Sequence, residues 1–112
     1  MRRGSFKHTG PQMRGRTKHE TRRLTWLWAK PGIRVLAVSQ CRGLRKGQSP
    51  EVFGVIEIVA VRRERLDAID QAGVIAEGFP ELTPAEFVAM FCRHMRCRPS
   101  TKVTAVRFRH ID

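Results

Sequence analysis

Three groups of residues in this 112-residue chain are of types that do chemistry, and each suggests a different ligand. Arg62, Arg63 and Arg65 end a β-branched run, where planar guanidinium forks could clamp phosphate at the mouth of a barrel. Glu64 and Asp67 are near enough in sequence to pair with them instead. Trp26 and Trp28 lie two residues apart among basic neighbours, so an extended chain would put both rings on one side, where they could stack on a base. In a small domain without tyrosine they serve equally as core, and at least one is assigned there. Cys92, His94 and Cys97, with Cys41 upstream, have the ligand types of a zinc site. A structural zinc needs four ligands in a tetrahedron, whereas residues 92, 94 and 97 diverge around a continuous helical pattern. They read as reduced core thiols, with His94 an interior or cleft residue, and no metal or cofactor is expected.

The charge balance narrows the partner. Lys and Arg number 22 against 10 Asp and Glu, a formal net charge of +12. Self-repulsion of that size is normally relieved by a polyanion, so nucleic acid is the expected partner. An excess built from arginine, which forks onto phosphate and stacks on bases, points to RNA or a single strand. The excess is concentrated early: residues 1 to 30 carry nine basic side chains and Glu20 alone, whereas residues 61 to 90 carry Arg62, Arg63 and Arg65 against six acids. No apolar run is long enough to cross a bilayer, the longest being broken by Glu57. The basic N-terminal stretch lacks the apolar segment of a secretory signal, so a cytoplasmic protein with reduced thiols is expected.

The elements that must position these residues follow from periodicity. One domain is expected, because a chain this short has too little apolar surface for two cores. Residues 1–12 read as an irregular basic arm and 13–112 as the domain. Arg14 to Leu24 is a polar stretch that tolerates a short helix or turn, and Pro31–Gly32 feeds a buried strand from Ile33 to Gln40. Residues 41–50 are a loop punctuated by Gly43, Gly47 and Pro50. Val52 to Arg63 is the strongest strand, apolar in both alternating sets and so expected to be buried on both faces at mid-length. Leu66, Ile69, Val74 and Ile75 mark two short helical turns. Thr83, Pro84 and Glu86 then form a capping box that opens a helix with Phe87, Met90, Phe91 and His94 along one face. Pro99 stops it, and Lys102 to His110 alternates as a closing strand with Thr104, Val106 and Phe108 on one side. Further strands could lie in the N-terminal segment and around Trp26 to Ala29. The sum is an α+β chain; a Rossmann fold is excluded, since no Gly-rich turn joins a strand to a helix.

The stretches RGRTKHETRR, KPGIRVLAV, VIEIVAVRRERLDAI and IAEGFPELTPAEFVAMF together resemble the ASCH domain family, relatives of the PUA RNA-binding domain, over residues 12 to 110. The CRGLRKGQ loop and the FCRHMRCRP segment are similar to small ASCH proteins of bacteriophages. The resemblance implies a small PUA-like β-barrel flanked by short helices, with a cleft beside the segment bearing Lys18 and Thr21. It further implies the site of the family's N4-acetylcytidine amidohydrolases, which falls on Lys18, Thr21 and Glu77.

That trio is chemically reasonable. A lysine desolvated and crowded by Arg16, Arg22 and Arg23 can take the proton of a threonine hydroxyl, and a glutamate can orient the amide or pass a proton to the leaving amine. If residues 15–21 are helical, Lys18 and Thr21 share a face. Glu20 is placed to pair with Lys18 and neutralise it. The expected function is a nucleic-acid or modified-nucleotide binding domain with Arg14, Arg16, Arg22, Arg23, Arg62, Arg63 and Trp26 around that trio. Metal-independent hydrolysis of an N4-acyl cytidine is nested within it. The alternative is a non-enzymatic phage-type protein that binds a host protein or RNA.

Overall fold

Along the chain, the computed structural model describes every residue from Met1 to Asp112: β1 (Arg2–Ser5), α1 (Gly10–Arg14), β2 (Glu20–Arg23), β3 (Arg34–Val38), β4 (Val52–Arg65), a 3₁₀ turn (Leu66–Ala68), α2 (Gln71–Ala76), α3 (Pro84–Met95) and β5 (Lys102–Ile111). One five-stranded sheet, in the order β1-β3-β4-β5-β2, curls into a half-barrel, with β1 parallel to β3 and the other pairs antiparallel. The fold is thus α+β, as the periodicity implies, and barrel-like, as the resemblance implies. No helix is long and apolar enough to cross a membrane.

Two apolar clusters hold it. Inside the curl, Phe6, Met13, Trp26, Val35, Ile56, Ile58, Val106 and Phe108 pack together. Outside it, Leu66, Ile69, Val74 and Val103 meet Phe87, Val88 and Phe91 of α3. The helix starts where its sequence says: Thr83 Oγ1 accepts from Glu86 N at 3.2 Å and Glu86 Oε1 accepts from Thr83 N at 2.9 Å, satisfying two orphan donors reciprocally.

Four expectations are corrected. Residues 1–12 are not an irregular arm: β1 pairs with β3 from Arg2↔Val35 to Ser5↔Val38, Phe6 is buried beneath it, and α1 follows. Arg14 to Leu24 is not helical beyond Arg14; Glu20–Arg23 is an edge strand on β5. Residues 26–29 form a turn and not a strand, because Trp26 sits at φ 57° in the left-handed region. β4 is not buried on both faces. Its register against β5 slips between Ile58 and Ala60, and the extra residue, Val59, bulges outward with 42% of its surface exposed.

Candidate functional site

The half-barrel does not close through hydrogen bonds, since β1 and β2 are its two edges. Side chains span the gap. The Arg23 guanidinium lies over the Phe6 ring at 4.7 Å and the Trp26 ring at 4.3 Å, and the two rings meet edge to face. Between the edges lies a cavity of about 260 Å³. Ser5, Lys7, His8 and Thr9 border it on the β1 side, Thr21, Arg22 and Arg23 on the β2 side, and Phe79, Phe87, Met90 and Phe91 form an apolar wall. Lys18 and Glu77 line it as well.

Lys18, in the loop before β2, is only 2% exposed, and its Nζ donates to Glu77 Oε1 at 2.5 Å and to the Glu77 carbonyl at 2.9 Å. The loop is fixed by His19 N donating to the Ala76 carbonyl at 2.6 Å and by Phe108 N donating to the His19 carbonyl at 2.9 Å. His110 Nε2 reaches the Lys18 carbonyl at 2.8 Å; a carbonyl only accepts, so Nε2 carries the hydrogen. On the other side of the pair, Gly78 follows Glu77, the C-cap of α2, at φ +100°, and a Cβ there would meet the Gln12 side chain at 2.7 Å. Glycine at 78 is what lets Glu77 approach Lys18 so closely.

The remaining charges form a buried network. Arg22 NH1 donates to Glu20 Oε1 at 3.1 Å and to Glu77 Oε2 at 3.3 Å, while its NH2 donates to Glu64 Oε1 at 3.1 Å. Arg22 Nε is the single buried side-chain atom left without a hydrogen-bond partner, and it belongs to a residue that lines the cavity. Such an orphan donor is what a ligand's acceptor could satisfy. Thr21 Oγ1 accepts from Arg23 Nε at 2.9 Å, which leaves its own proton free.

Burial decides the electrostatics. It pushes Lys18 below the ordinary lysine range, with Arg23 and Arg22 adding to the depression and Glu77 opposing it. Burial also brings Arg23 down to about 10. At the rim, His8 and His94 stack with ring centroids 4.7 Å apart, and burial, His94 and Lys7 together lower His8.

Lys18 and Thr21, together with the sequence-distant Glu77, therefore border one cavity, with Arg22 and Arg23 beside them. The other expected contacts lie elsewhere. Arg14 pairs with Glu51, Arg16 with Asp112, Arg62 with Glu64 and Glu20, and Arg63 NH1 donates to the Thr104 hydroxyl at 2.7 Å; none of the four lines the cavity. Trp26 is not a free stacking platform. Its ring is tucked against Gly4, where a Cβ would come within 2.9 Å of it, and its other contacts are Phe6, Arg23 and Trp28. Glu20 does not neutralise Lys18; it is taken by Arg22, and Glu77 is the lysine's partner. Cys92 and Cys97 pack against the outer apolar cluster with their sulfurs 4.0 Å apart.

Sequence reasoning missed His8 and took Phe87, Met90 and Phe91 simply as a helix's core face. The alternation of α3 could not separate a wall facing a cavity from one facing other side chains.

No family model matches the chain, and no curated protein matches it. Among solved structures, it is similar to the protein EF3133 of Enterococcus faecalis V583, of the family model DUF984. The two share 13% identity with a TM-score of 0.66, over 95% of this chain and 71% of that one. At that identity the likeness speaks for architecture alone, and the architecture it supports is a small barrel-like α+β fold.

Proposed function

We propose that the cavity between β1 and β2 binds a nucleoside bearing an acylated exocyclic amine, an N4-acyl cytidine in the first instance, and hydrolyses that amide without metal. The observation that carries this reading is the meeting of a desolvated lysine, a threonine hydroxyl and a glutamate at one cavity that also has an aromatic wall. Phe79, Phe87 and Phe91 offer surface for the flat face of a base, and Arg22 Nε offers a spare donor for one of its acceptors. The resemblance to the ASCH amidohydrolases adds the substrate class.

In this mechanism Lys18 accepts the Thr21 proton and Thr21 Oγ1 attacks the acyl carbon, with Arg23 Nε stabilising charge on that oxygen. The C–N bond breaks as Lys18 returns the proton to the leaving amine. Water then cleaves the acyl-threonine ester, its proton passing through Lys18 back to Thr21, and the acid is released. Glu77 holds the lysine in place throughout.

A second reading, binding without turnover, rests on one contact. Lys18 Nζ already donates to Glu77 twice, so it acts as a base only if one of those bonds loosens when ligand enters. Ultraviolet assays of acylated nucleosides separate the two readings. Turnover that Thr21→Val abolishes while nucleoside binding persists supports hydrolysis. Binding of the acylated nucleoside by wild type without release of the acid leaves the binding reading alone.

A further inference from the structure

The cations expected to meet nucleic acid are, for the most part, already used. Nine of the 22 lysines and arginines have a carboxylate partner and thirteen have none. Exposed ion pairs occupy the outer face of β4 and β5, where Arg34 and Arg109 share Glu57, Arg62 meets Glu64, and Arg65 meets Asp67. A phosphate arriving there would have to displace a carboxylate. Among the cations without carboxylate partners, Lys7 and Arg23 line the cavity and a further five lie on the two segments that leave its rim.

They reach it from two directions. β3 ends at the rim, because Ser5, which borders the cavity, pairs with Val38 and its hydroxyl donates to the Ser39 carbonyl at 3.5 Å. The loop of residues 41–50 leaves from that point, exposed, with Arg42, Arg45 and Lys46 unpaired. Cys41, its first residue, lies close enough to Arg23 to bear on its charge. On the far side, His94 and Met95 line the cavity at the end of α3, flanked by Arg93 and Arg96, both exposed and unpaired. Lys7 stands at the rim between them. A cavity of about 260 Å³ is smaller than the roughly 300 to 1,000 Å³ that whole drug-sized ligands fill, so it suits a base whose sugar and phosphates stay outside.

We infer that the loop of residues 41–50 and the end of α3 form the two halves of a backbone track for a single-stranded polynucleotide, which delivers one base at a time into the cavity. This rests on the nucleoside reading of that cavity and extends it from a free nucleoside to a residue within a strand. Phosphates upstream and downstream of the inserted base would lie against Arg42, Arg45 and Lys46 on one side and Arg93 and Arg96 on the other.

Fluorescence anisotropy with labelled oligocytidylate and oligodeoxycytidylate of increasing length, beside cytidine and N4-acetylcytidine, tests it. Affinity should climb with length until the track is spanned and then level off, and the ribo and deoxy series identify which strand is preferred. Replacing Arg42, Arg45 and Lys46 together by Ala touches exposed side chains only. The triple variant should flatten the plot of log affinity against log salt by about 2, at roughly 0.7 for each phosphate contact on a single strand. Equal affinity for nucleosides and long strands, or an unchanged salt slope in the triple variant, overturns the track while leaving the nucleoside site standing. Met90→Trp, which fills the cavity, discriminates the other way: nucleoside binding unaffected by it overturns the cavity reading itself, and the track with it.

Discussion

Two clusters of ions, one on the face of the sheet and one beside its β2 edge, are each built on a glutamate held by two cations, and they differ in burial. Around Glu57, on β4, Arg34 and Arg109 donate at 3.1 and 2.8 Å in reach of solvent. Around Glu77, Lys18 and Arg22 donate at 2.5 and 3.3 Å with both cationic side chains at most 3% exposed. In water the attraction is offset by hydration that either partner could keep alone, so an exposed pair contributes little. In the interior each ion depends on the other, because removing one leaves an uncompensated charge where none can be hydrated. The first cluster decorates a strand; the second fixes the geometry of a cavity at the expense of three carboxylates and two cations held away from solvent.

The largest expected effect is therefore Glu77→Ala, which strands Lys18 and part of Arg22 and should destabilise the fold by about 3 to 5 kcal/mol in denaturant unfolding. Glu57→Ala, its exposed counterpart, should leave the unfolding midpoint close to wild type. Comparable losses from the two would erase the distinction. Next in size is the paired replacement of Lys18 by Met and Glu77 by Leu, which removes both ions at once. Arg22 keeps Glu20 and Glu64, so stability should stay near wild type or rise by about 1 to 4 kcal/mol while acyl hydrolysis disappears. A double variant as unstable as Glu77→Ala would mean that the cluster holds up the fold rather than serving the cavity.

The smallest effects are in the pH dependence, where the two clusters should respond at opposite ends of the scale. The native pKa of Lys18 is depressed from 10.5, chiefly by burial, so between its native value and 10.5 the unfolded chain holds a proton that the native one lacks. Stability should rise with pH through that window, and Lys18→Met should flatten the rise. Glu57 is held below its ordinary 4.5 by hydrogen bonds from Arg109 and Arg34. Its contribution is present above 4.5 and fades as pH falls through its native value, a loss that Glu57→Gln should remove. An alkaline limb identical in wild type and Lys18→Met would show that the lysine is not the group responsible.

What the sequence discloses follows the reach of each signal. β4, β5 and α3 were legible because their information is local: alternation for the strands, and for the helix a capping box and a stop at Pro99. β1 and β2 were not. Glu20–Arg23 has three buried residues and none of them apolar, since its burial is satisfied by ion pairs with Glu77 and Glu64 from distant segments, and a hydropathy pattern carries no trace of those. β1 is four residues whose strand character comes from β3. The site divides along the same line. Lys18, Thr21 and Glu77 came from resemblance to a family, and Arg22 and Arg23 from charge. Yet Arg14, Arg16, Arg62 and Arg63 looked equivalent to them, because a string of residues does not reveal which cations face the cavity and which are held away from it by Glu51, Asp112, Glu64 or the Thr104 hydroxyl.

β2 has a single strand partner, the last one in the sequence. Thr21, Arg22 and Arg23 can take their places only once Lys102–Ile111 has been made and docked, so during synthesis the pocket comes together after the β1–β3 and β3–β4 pairings are already available. Until then a chain of high positive charge emerges with neither its internal carboxylate partners nor its cavity in place. In this chain β5 works as the latch that gathers scattered buried charges around one cavity.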